Sequence, residues 1–296
     1  MLDYILILIL ILISVAFFTL FEVSTLGYIH LRPGPNKVSI YGLIQPLGDF
    51  VKLFAYGVFY MLNYNYMYYY LSPFLGVLLS FLIWSMYYSY FSFFSLFWGV
   101  LIFFCVSSFS VYFLLFSGWG SGSFYSFLGS FRSSAQAVSY EVSMIFIFVA
   151  YLFLYFTFSF FNLLDLMGGV YFWIVSFPLF ICWFISCLAE SGRSPFDFSE
   201  GESELVSGFN TEYSGGYFAL IFVCEYSFIV FLCLLTSFFF GFEYYFLKVF
   251  LFCFIFIWVR SSYPRFRFDV LMMFCWSVVL PLVISCFIFF VSFCFF

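Results

Sequence analysis

Charge is scarce in this sequence. Only 8% of its 296 residues are Asp, Glu, Lys or Arg, whereas a soluble globular domain carries about 25%. Since 66% of the residues are hydrophobic, the chain cannot cover itself with enough polar surface to dissolve in water. The composition therefore excludes a soluble protein and indicates one that crosses a membrane several times.

Metal-ligating residues are also few. The chain has one histidine, His30, and its nine cysteines lie inside apolar runs without any CxxC pair. A free cysteine in such a run behaves as a small hydrophobic residue, so we predict structural roles for the cysteines rather than metal or disulfide sites. A metal centre built by this chain alone is not expected.

The N-terminus lacks the marks of a secretory signal. Residues 1–18 are apolar, but they carry Asp3 in place of a basic segment, and no small-residue cleavage site follows them. We therefore expect a retained first span. Phe (56 residues) and Tyr (25 residues) are more abundant than packing requires. A T-rich coding bias accounts for this abundance and fits an organelle genome.

The apolar runs are continuous, which indicates helices, because the strands of a membrane barrel alternate apolar and polar residues. At roughly 20 residues per span, we predict an all-α polytopic membrane protein. It forms a single membrane domain with about eight transmembrane helices near residues 3–27, 69–92, 95–117, 134–159, 170–190, 216–240, 245–260 and 275–295. From Gly42 onward, an amphipathic pattern interrupted by Asp49 and Lys52 predicts an interfacial helix near 43–60. Membrane anchoring alone is the alternative role for that helix.

The basic residues are distributed unevenly. Eight of the nine Lys and Arg residues fall in four long connections, at 28–68, 118–133, 191–215 and 260–274. By the positive-inside rule these loops face the matrix or cytoplasm, and both termini face the other side. In the second connection, small residues and glycine predict an irregular loop with a short helix, after which Ser133 or Ser134 caps the fourth span. We find no internal repeat of the kind that marks inverted-repeat transporters.

Acidic residues are concentrated in one segment. Residues 189–226 hold seven of the 14 acids, namely Glu190, Asp197, Glu200, Glu202, Glu204, Glu212 and Glu225. Because so apolar a chain gains no solubility by collecting carboxylates between two apolar helices, this acidic segment indicates a site.

Three acids lie in or against predicted spans. Counted from the loop-side helix starts, Glu141 and Glu225 both lie about 12 Å deep, and Glu190 is shallower on the same face. A carboxylate in apolar surroundings tends to take up a proton, and a line of them can pass protons along. Gln136 and Tyr140 share one helix face beside them. The alternative is a set of buried acids satisfied by tyrosine hydroxyls and arginines.

Within the acidic segment, two residues have a second interpretation as helix caps. Ser194-Pro195-x-Asp197 is typical of a helix start, and Ser199 followed by Glu202 forms a possible capping box. Glu200 and Glu204 would share one helix face and repel each other if both were ionised. One of the two is therefore expected to be protonated or paired with a base such as the arginines of the 260–274 connection.

Four motifs, found in order on one predicted side, carry a resemblance over most of the chain. They are LGYIHLRPGPNKVSIYGLIQPLGDFVKLF, SGWGSGSFYSFLGSFRSSAQAVSYEV, AESGRSPFDFSEGESELVSGFNTEYSGGYFALIFVCEY and RSSYPRFRFDVLMMFCWSVVLP. Together they resemble the first, third, fifth and seventh loops of the subunit 1 family of NADH–quinone oxidoreductase, respiratory complex I. The resemblance implies a core membrane subunit of a proton-pumping NADH:ubiquinone reductase that carries no redox centre itself.

The resemblance also implies surroundings for the chain. Ubiquinone is the expected substrate, while iron–sulfur clusters, FMN and NADH belong to partner subunits. The expected partners are the 49-kDa-type and terminal iron–sulfur cluster subunits of the quinone module, the other membrane-arm subunits and membrane lipids, with no nucleic acid. The expected location is the mitochondrial inner membrane, with the chain multi-pass and organelle-encoded.

Site residues are carried over by motif position. The resemblance assigns a proton path to Glu141, Glu190, Glu200, Glu202, Glu204, Glu212 and Glu225. We add Tyr140, next to Glu141, and Asp197, within the acidic segment, to the candidates for this path. It assigns the quinone chamber to Arg32, Phe218, Phe222, Arg265 and Arg267. The chain departs from the family where basic residues are common, having Val23 and Ser24 after Glu22, and Ser277 after a tryptophan. Both departures remove positive charge near the lipid side, so either accessory subunits replace these charges or quinone entry is tuned differently.

Two rival functions remain open at this point. The membrane subunit of an energy-converting hydrogenase shares the acidic loop, although the PRFRFD and LRPGPN segments favour the quinone enzyme. Nickel–iron partners on purification would support the hydrogenase. A stand-alone proton or ion channel is the other reading, and such a channel would be stable when purified alone.

Overall fold

The computed structural model describes residues 2–57, 64–86, 99–155, 171–197, 208–238 and 245–295. Within these ranges the chain forms ten α-helices: α1 (Leu2–Ile29), α2 (Gln45–Ala55), α3 (Tyr66–Ser85), α4 (Gly99–Ser121), α5 (Phe124–Tyr155), α6 (Tyr171–Glu190), α7 (Gly215–Phe238), α8 (Tyr245–Ser262), α9 (Phe268–Phe274) and α10 (Leu280–Phe295). One-turn 3₁₀ helices lie at Ile40–Gly42 and Gly208–Asn210. A π-helical segment, Cys275–Val279, joins α9 to α10.

The predicted fold class is confirmed. Seven segments are long and apolar enough to cross a membrane: Ile5–Ile29, Tyr66–Ser85, Gly99–Ser121, Phe124–Phe153, Gly215–Ser237, Tyr245–Ser262 and Phe268–Ser292. A shorter apolar stretch, Phe177–Glu190, belongs to α6. The protein is therefore an all-helical polytopic membrane protein in the part that the structure describes. The amphipathic helix predicted near 43–60 is present as α2, which is shorter than expected and starts with Pro46 in its first turn.

The prediction for the connection 118–133 is wrong. Helix α4 continues to Ser121 and α5 already begins at Phe124. Ser133 and Ser134 therefore do not cap a helix, and their hydroxyls donate instead to carbonyls three residues earlier in α5, at 2.9 and 3.0 Å. A serine can satisfy its hydroxyl this way inside a helix, and small residues let membrane helices approach closely. The glycine- and serine-rich composition that looked like a loop is a helix-packing surface.

The last span also starts earlier than expected. The prediction placed it at 275–295, but helical structure begins at Phe268 and continues through the π segment. There the Cys275 thiol donates to the Ser139 carbonyl at 3.4 Å, and the Tyr140 hydroxyl donates to the Leu271 carbonyl at 3.2 Å. These contacts hold the start of the span against α5.

A cluster of tyrosines fixes the segment that precedes α7. The rings of Tyr69 and Tyr213 are parallel with centroids 4.5 Å apart, and the Tyr69 hydroxyl donates to the Glu212 carbonyl at 3.1 Å. The hydroxyls of Tyr213 and Ser72 are 2.8 Å apart. Burial raises the pKa of Tyr213, although the contact with Ser72 opposes the shift. The Tyr213 hydroxyl therefore stays protonated at physiological pH and can act both as a hydrogen-bond donor and as an acceptor.

The long connections meet at one end of the helical bundle. Gly129 of α5 lies against Gly208, so closely that an added Cβ would be 2.8 Å from the Gly208 Cα. The Phe266 N–H donates to the Pro195 carbonyl at 3.0 Å. At the start of α7, Gly215 approaches the Tyr56 carbonyl. Parts of all four Lys- and Arg-containing connections thus lie close together. The predicted topology requires this, because it places the four connections on the same side of the membrane.

The close approach of α3 and α4 gives a stability prediction. A Cβ on Gly120 would lie 2.6 Å from the Tyr69 nitrogen and 2.7 Å from its Cα, and the Gly120 carbonyl accepts from the Asn65 N–H at 3.0 Å. Since backbone cannot move aside cheaply, we expect Gly120→Ala to destabilise the protein by about 1–3 kcal/mol. Thermal unfolding of the purified protein measures this. The control is Gly48→Ala on α2, where a Cβ meets no atom within 4 Å. A melting temperature for Gly120→Ala as high as that of the control would contradict the packing argument.

Candidate functional site

Two acids from different helices face one small cavity. Glu190 is the last residue of α6, and Glu225 lies in α7. Both line a cavity of about 80 Å³, together with residues that include Ser110 and Ala137. The Glu190 Oε2 atom is buried and has no hydrogen-bond partner within the described ranges. The cavity therefore joins two carboxylates inside an otherwise apolar helix bundle.

Glu225 is held by an arginine of the acidic segment. The Arg193 Nη2 atom lies 2.8 Å from Glu225 Oε2, and the two side chains are only 11% and 15% exposed. The Arg193 guanidinium also lies 5.0 Å from the centroid of the Tyr226 ring and 5.8 Å from that of Phe222. Asn210 lies beside the same carboxylate. The turn after α6 thus places a charge on α7, and aromatic faces shield that charge from lipid.

Glu141 joins the cluster through Glu190. It is 8% exposed, and its Oε1 accepts a hydrogen bond from the Ser107 hydroxyl at 2.9 Å. Glu141 and Glu190 are close enough to interact electrostatically. Because α5 begins at Phe124 rather than near 134, counting from helix starts no longer puts Glu141 and Glu225 at one depth. The three acids instead form a row with Glu190 in the middle.

Asp197 takes part in an ion pair at the outer end of the cluster. Its Oδ2 lies 3.3 Å from Arg265 Nη2, and Asp197 is near enough to Glu225 to interact electrostatically. Residues 191–197 form turns and contain no helix. The prediction that a helix starts at Ser194 and Pro195 is therefore wrong for the residues described, which end at Asp197. A second contact supports the turn, since the rings of Phe196 and Phe266 stack with centroids 5.8 Å apart.

Some predicted proton-path residues are not brought into the row. The Tyr140 ring is fully buried and packs against Phe196, but its hydroxyl bonds a carbonyl and not a carboxylate. Glu212 is held through its backbone carbonyl by Tyr69, and its side chain is not among those that line the cavity. Glu200, Glu202 and Glu204 lie outside the described residues, so their predicted roles stay predictions.

The predicted quinone residues are divided between two locations. Phe218 and Phe222 lie together on α7 with ring centroids 4.5 Å apart, and the Phe222 ring lies 5.8 Å from the Arg193 guanidinium. Arg265 reaches the cluster through Asp197, as described above. Arg267 is 77% exposed and pairs with Asp269 at 3.1 Å, and Arg32 is exposed just after α1. The structure therefore brings three of these five residues to the acidic cluster.

A second buried ion pair escaped the sequence analysis. Glu22 of α1 is 5% exposed and is paired with Arg260 in the last turn of α8. The two line a small cavity with Arg193 and Tyr226, which links this pair to the one on Glu225. A signal for Glu22 was available, since it is an acid inside an apolar run just as Glu141 is. Ser107 and Asn210 carried no signal of their own.

The arrangement suits proton transfer and gives no sign of metal binding. Among the residues that the structure describes, no three His, Cys, Asp or Glu side chains are grouped so that they could hold a metal ion. Ionisable groups inside a membrane protein are costly and mark ion or proton paths more often than structural sites. A row of carboxylates with a cavity between two of them has the chemistry of a proton relay.

Comparison with known proteins gives whole-chain similarity. The family model described as NADH dehydrogenase matches residues 2–291. A relative from Aedes aegypti, named NADH-ubiquinone oxidoreductase chain 1, is 46% identical over 287 residues, which are 95% of this chain and 92% of the relative. Relatives with the same name from Locusta migratoria and Heterololigo bleekeri are 45% and 44% identical, over 98% and 95% of this chain and 94% and 92% of their own lengths.

The buried and exposed arginines of the two loops predict different stability effects. We expect Arg193→Met to cost about 3 kcal/mol of unfolding free energy, because it leaves the largely buried Glu225 without its partner. Arg193→Met combined with Glu225→Gln should recover part of that loss. Arg267→Met is the matched control, since its pair is exposed, and it should change stability by less than about 0.5 kcal/mol. Thermal unfolding of the purified protein compares the three, and equal effects of the two arginine variants would show that the Arg193 pair is not buried.

Proposed function

The chain belongs to the NADH dehydrogenase family, and on that premise we propose that it is the chain 1 subunit of a membrane-bound NADH–ubiquinone oxidoreductase. It serves that enzyme as a core membrane subunit. Its substrate is ubiquinone, and the redox cofactors belong to partner subunits. Within the assembly it forms part of the quinone chamber and part of the path along which protons move when the quinone is reduced.

The observation that carries the proton path is the cavity between Glu190 and Glu225. Its volume of about 80 Å³ is enough for several water molecules, since one needs roughly 10–15 Å³ of such space. The buried Glu190 Oε2 atom provides a polar anchor for water there. Water in this cavity would bridge the two carboxylates, and the neighbouring Glu141 extends the row towards α4. Protons then move along Glu225, Glu190 and Glu141.

The quinone side of the proposal rests on what surrounds Arg193. A flexible isoprenoid quinone needs an apolar, aromatic passage with polar groups at selected points. Phe218 and Phe222 provide two neighbouring rings, and Arg193 links those rings to Glu225. Ubiquinone takes up two electrons and two protons when it becomes ubiquinol. Withdrawal of protons near Asp197 and Arg193 would change the charge that Glu225 experiences and so its hold on a proton.

Partner subunits are needed at the loop end of the bundle. The connection after α1 exposes large apolar side chains, with Leu31 at 96%, Ile40 at 74% and Tyr41 at 77%. Such side chains in a loop indicate a contact surface. We assign this surface to the hydrophilic quinone-module subunits in an inner mitochondrial membrane.

A carboxylate-to-amide change tests the proton path. In the assembled complex, Glu225→Gln keeps the size and polarity of the side chain but cannot carry a proton. The amide oxygen of the glutamine can still accept from Arg193 Nη2, so we expect the complex to assemble. Quinone reduction coupled to pumping should fall roughly tenfold or more, as for removal of a proton-transfer group. Proton uptake by inverted membrane vesicles measures it. Asp49→Asn is the control, because Asp49 is exposed on α2 and, in the part of the chain that the structure describes, accepts a side-chain hydrogen bond only from Gln45 of its own helix, at 3.0 Å. Full pumping by an assembled Glu225→Gln complex would rule out this role.

An aromatic-to-aliphatic change tests the quinone passage. Phe222→Leu removes the ring that lies between Phe218 and Tyr226 while keeping an apolar side chain. If the ring contacts the isoprenoid quinone, the KM for a long-tailed quinone should rise about tenfold with little change in kcat, as expected for lost uniform binding. Phe109→Leu is the control, because Phe109 lies on α4 and is 58% exposed. Equal KM values for the two variants would place Phe222 outside the passage.

A further inference from the structure

One amide of α5 bonds both sides of the turn that carries Arg193. Gln136 is 3% exposed. Its Nε2 atom donates to the carbonyl of Ala189 at 2.9 Å and to the carbonyl of Phe196 at 2.9 Å. Ala189 precedes Glu190 at the end of α6, and Phe196 precedes Asp197. A single side chain thus spans the turn, with one hydrogen bond beside each of two acids in the site.

The chemistry of this contact is specific to glutamine. The Ala189 carbonyl accepts one N–H from the turn and has a second lone pair that the Gln136 amide uses. The Phe196 carbonyl lies in the turn, outside a helix, and accepts from the same amide. The glutamine amide nitrogen presents two N–H donors in one plane, whereas a glutamate of the same size presents acceptors and a leucine presents nothing. Asparagine keeps the amide but is shorter by one carbon–carbon bond, about 1.5 Å, and cannot reach both carbonyls from the same backbone.

The turn that Gln136 bonds determines where Arg193 lies. Within it, the Phe196 N–H donates to the Arg193 carbonyl at 2.9 Å, and the Gly192 N–H to the Ala189 carbonyl at 3.2 Å. From outside, the α9 side contributes the bond from Phe266 to Pro195 and the Asp197–Arg265 pair. Gln136 contributes the tie to α5, the helix that also carries Glu141. It therefore sets the position of Arg193 and Glu225 relative to Glu141.

We propose that Gln136 is a positioning residue for proton coupling: by bonding both sides of the turn, it keeps Arg193 on Glu225 and keeps Glu190 in line with Glu141. It touches neither the quinone nor a transferred proton. The inference rests on the proposed proton path for its effect on pumping. The claim that the Arg193–Glu225 contact depends on Gln136 is structural and holds whether or not the three acids form a proton path. A residue that only satisfies two buried carbonyls would lower stability without a selective effect on coupling.

The test compares Gln136→Leu and Gln136→Asn in the assembled complex with Ser143→Ala. Ser143 is fully buried on the same helix, and within the described residues its hydroxyl bonds only the Tyr140 carbonyl of α5, at 2.8 Å, so it controls for loss of a buried polar group. We expect Gln136→Leu to lower kcat for coupled quinone reduction about tenfold or more, because small displacements of site groups have effects of this size. The KM for ubiquinone should change little, Gln136→Asn should lie between, and Ser143→Ala should match the parent.

A double variant separates positioning from general stability. If Gln136 acts through the Arg193–Glu225 pair, adding Gln136→Leu to Glu225→Gln should lower the rate by less than about twofold further, since residues that share an interaction are not additive. If the two effects multiply, or if Ser143→Ala reproduces the loss, the positioning role is overturned. Should Gln136→Leu fail to assemble, Gln136→Asn takes its place in the same cycle.

A structure of the variant complex tests the proposal without reference to pumping. Cryo-electron microscopy of the Gln136→Leu or Gln136→Asn complex should show the Arg193 Nη2 to Glu225 Oε2 distance, 2.8 Å here, opened beyond hydrogen-bond range. If the pair stays intact, Gln136 is not its positioning residue. If the pair opens while Glu225→Gln alone leaves pumping unchanged, the positioning stands and the proposed proton path fails.

Discussion

A charged side chain among apolar helices must be paired, hydrogen-bonded or neutralised by a proton, and the arrangement of this protein follows from that constraint. Glu225 meets it with Arg193, Glu22 with Arg260, and Asp197 with Arg265. Each of these pairs joins two different parts of the chain. The loops after α6 and α8 therefore cannot be arranged independently of the helices, because each supplies the cation that a neighbouring acid requires. Glu141 meets the constraint with the hydrogen bond from the Ser107 hydroxyl, and neither Glu141 nor Glu190 has a cation partner within the described residues.

The elements that hydrophobicity specifies could be predicted from the sequence. Apolar runs long enough to cross a bilayer have few other structures open to them, since every backbone N–H and C=O must be bonded within the segment. For this reason the presence of the described spans and of the amphipathic helix α2 was predictable, and most of their ends were predictable to within several residues. The largest error, at the start of α5, fell where small polar residues admit two interpretations. Ser133 and Ser134 are good helix caps in isolation, but their neighbours pack closely enough to continue α5, and the serine hydroxyls then bond within that helix.

The sequence was sufficient to predict which acids belong to the candidate site, but not how they are arranged in space. An acid in an apolar run is conspicuous, so Glu141, Glu190 and Glu225 could be identified from the sequence. Their order could not, because it depends on which helix faces share the cavity and on the true start of α5. Gln136 gave only a hint, its spacing from Tyr140, and nothing in the sequence indicated that its amide reaches across to Ala189 and Phe196. Contacts of this kind between distant segments follow from tertiary packing, which local patterns do not specify.

The missing basic residues near the first span have a physical consequence that the structure clarifies. Where the resemblance implied basic residues after Glu22, this chain has Val23, which is 52% exposed, and Ser24, whose hydroxyl donates to the Phe21 carbonyl at 3.0 Å. Glu22 nevertheless keeps a cation, because Arg260 reaches it from α8. The loss of charge therefore affects the outward surface of α1 and not the buried pair. The interior is unaltered by this departure, since the groups that neutralise Glu22 and Glu225 are supplied by other helices and turns.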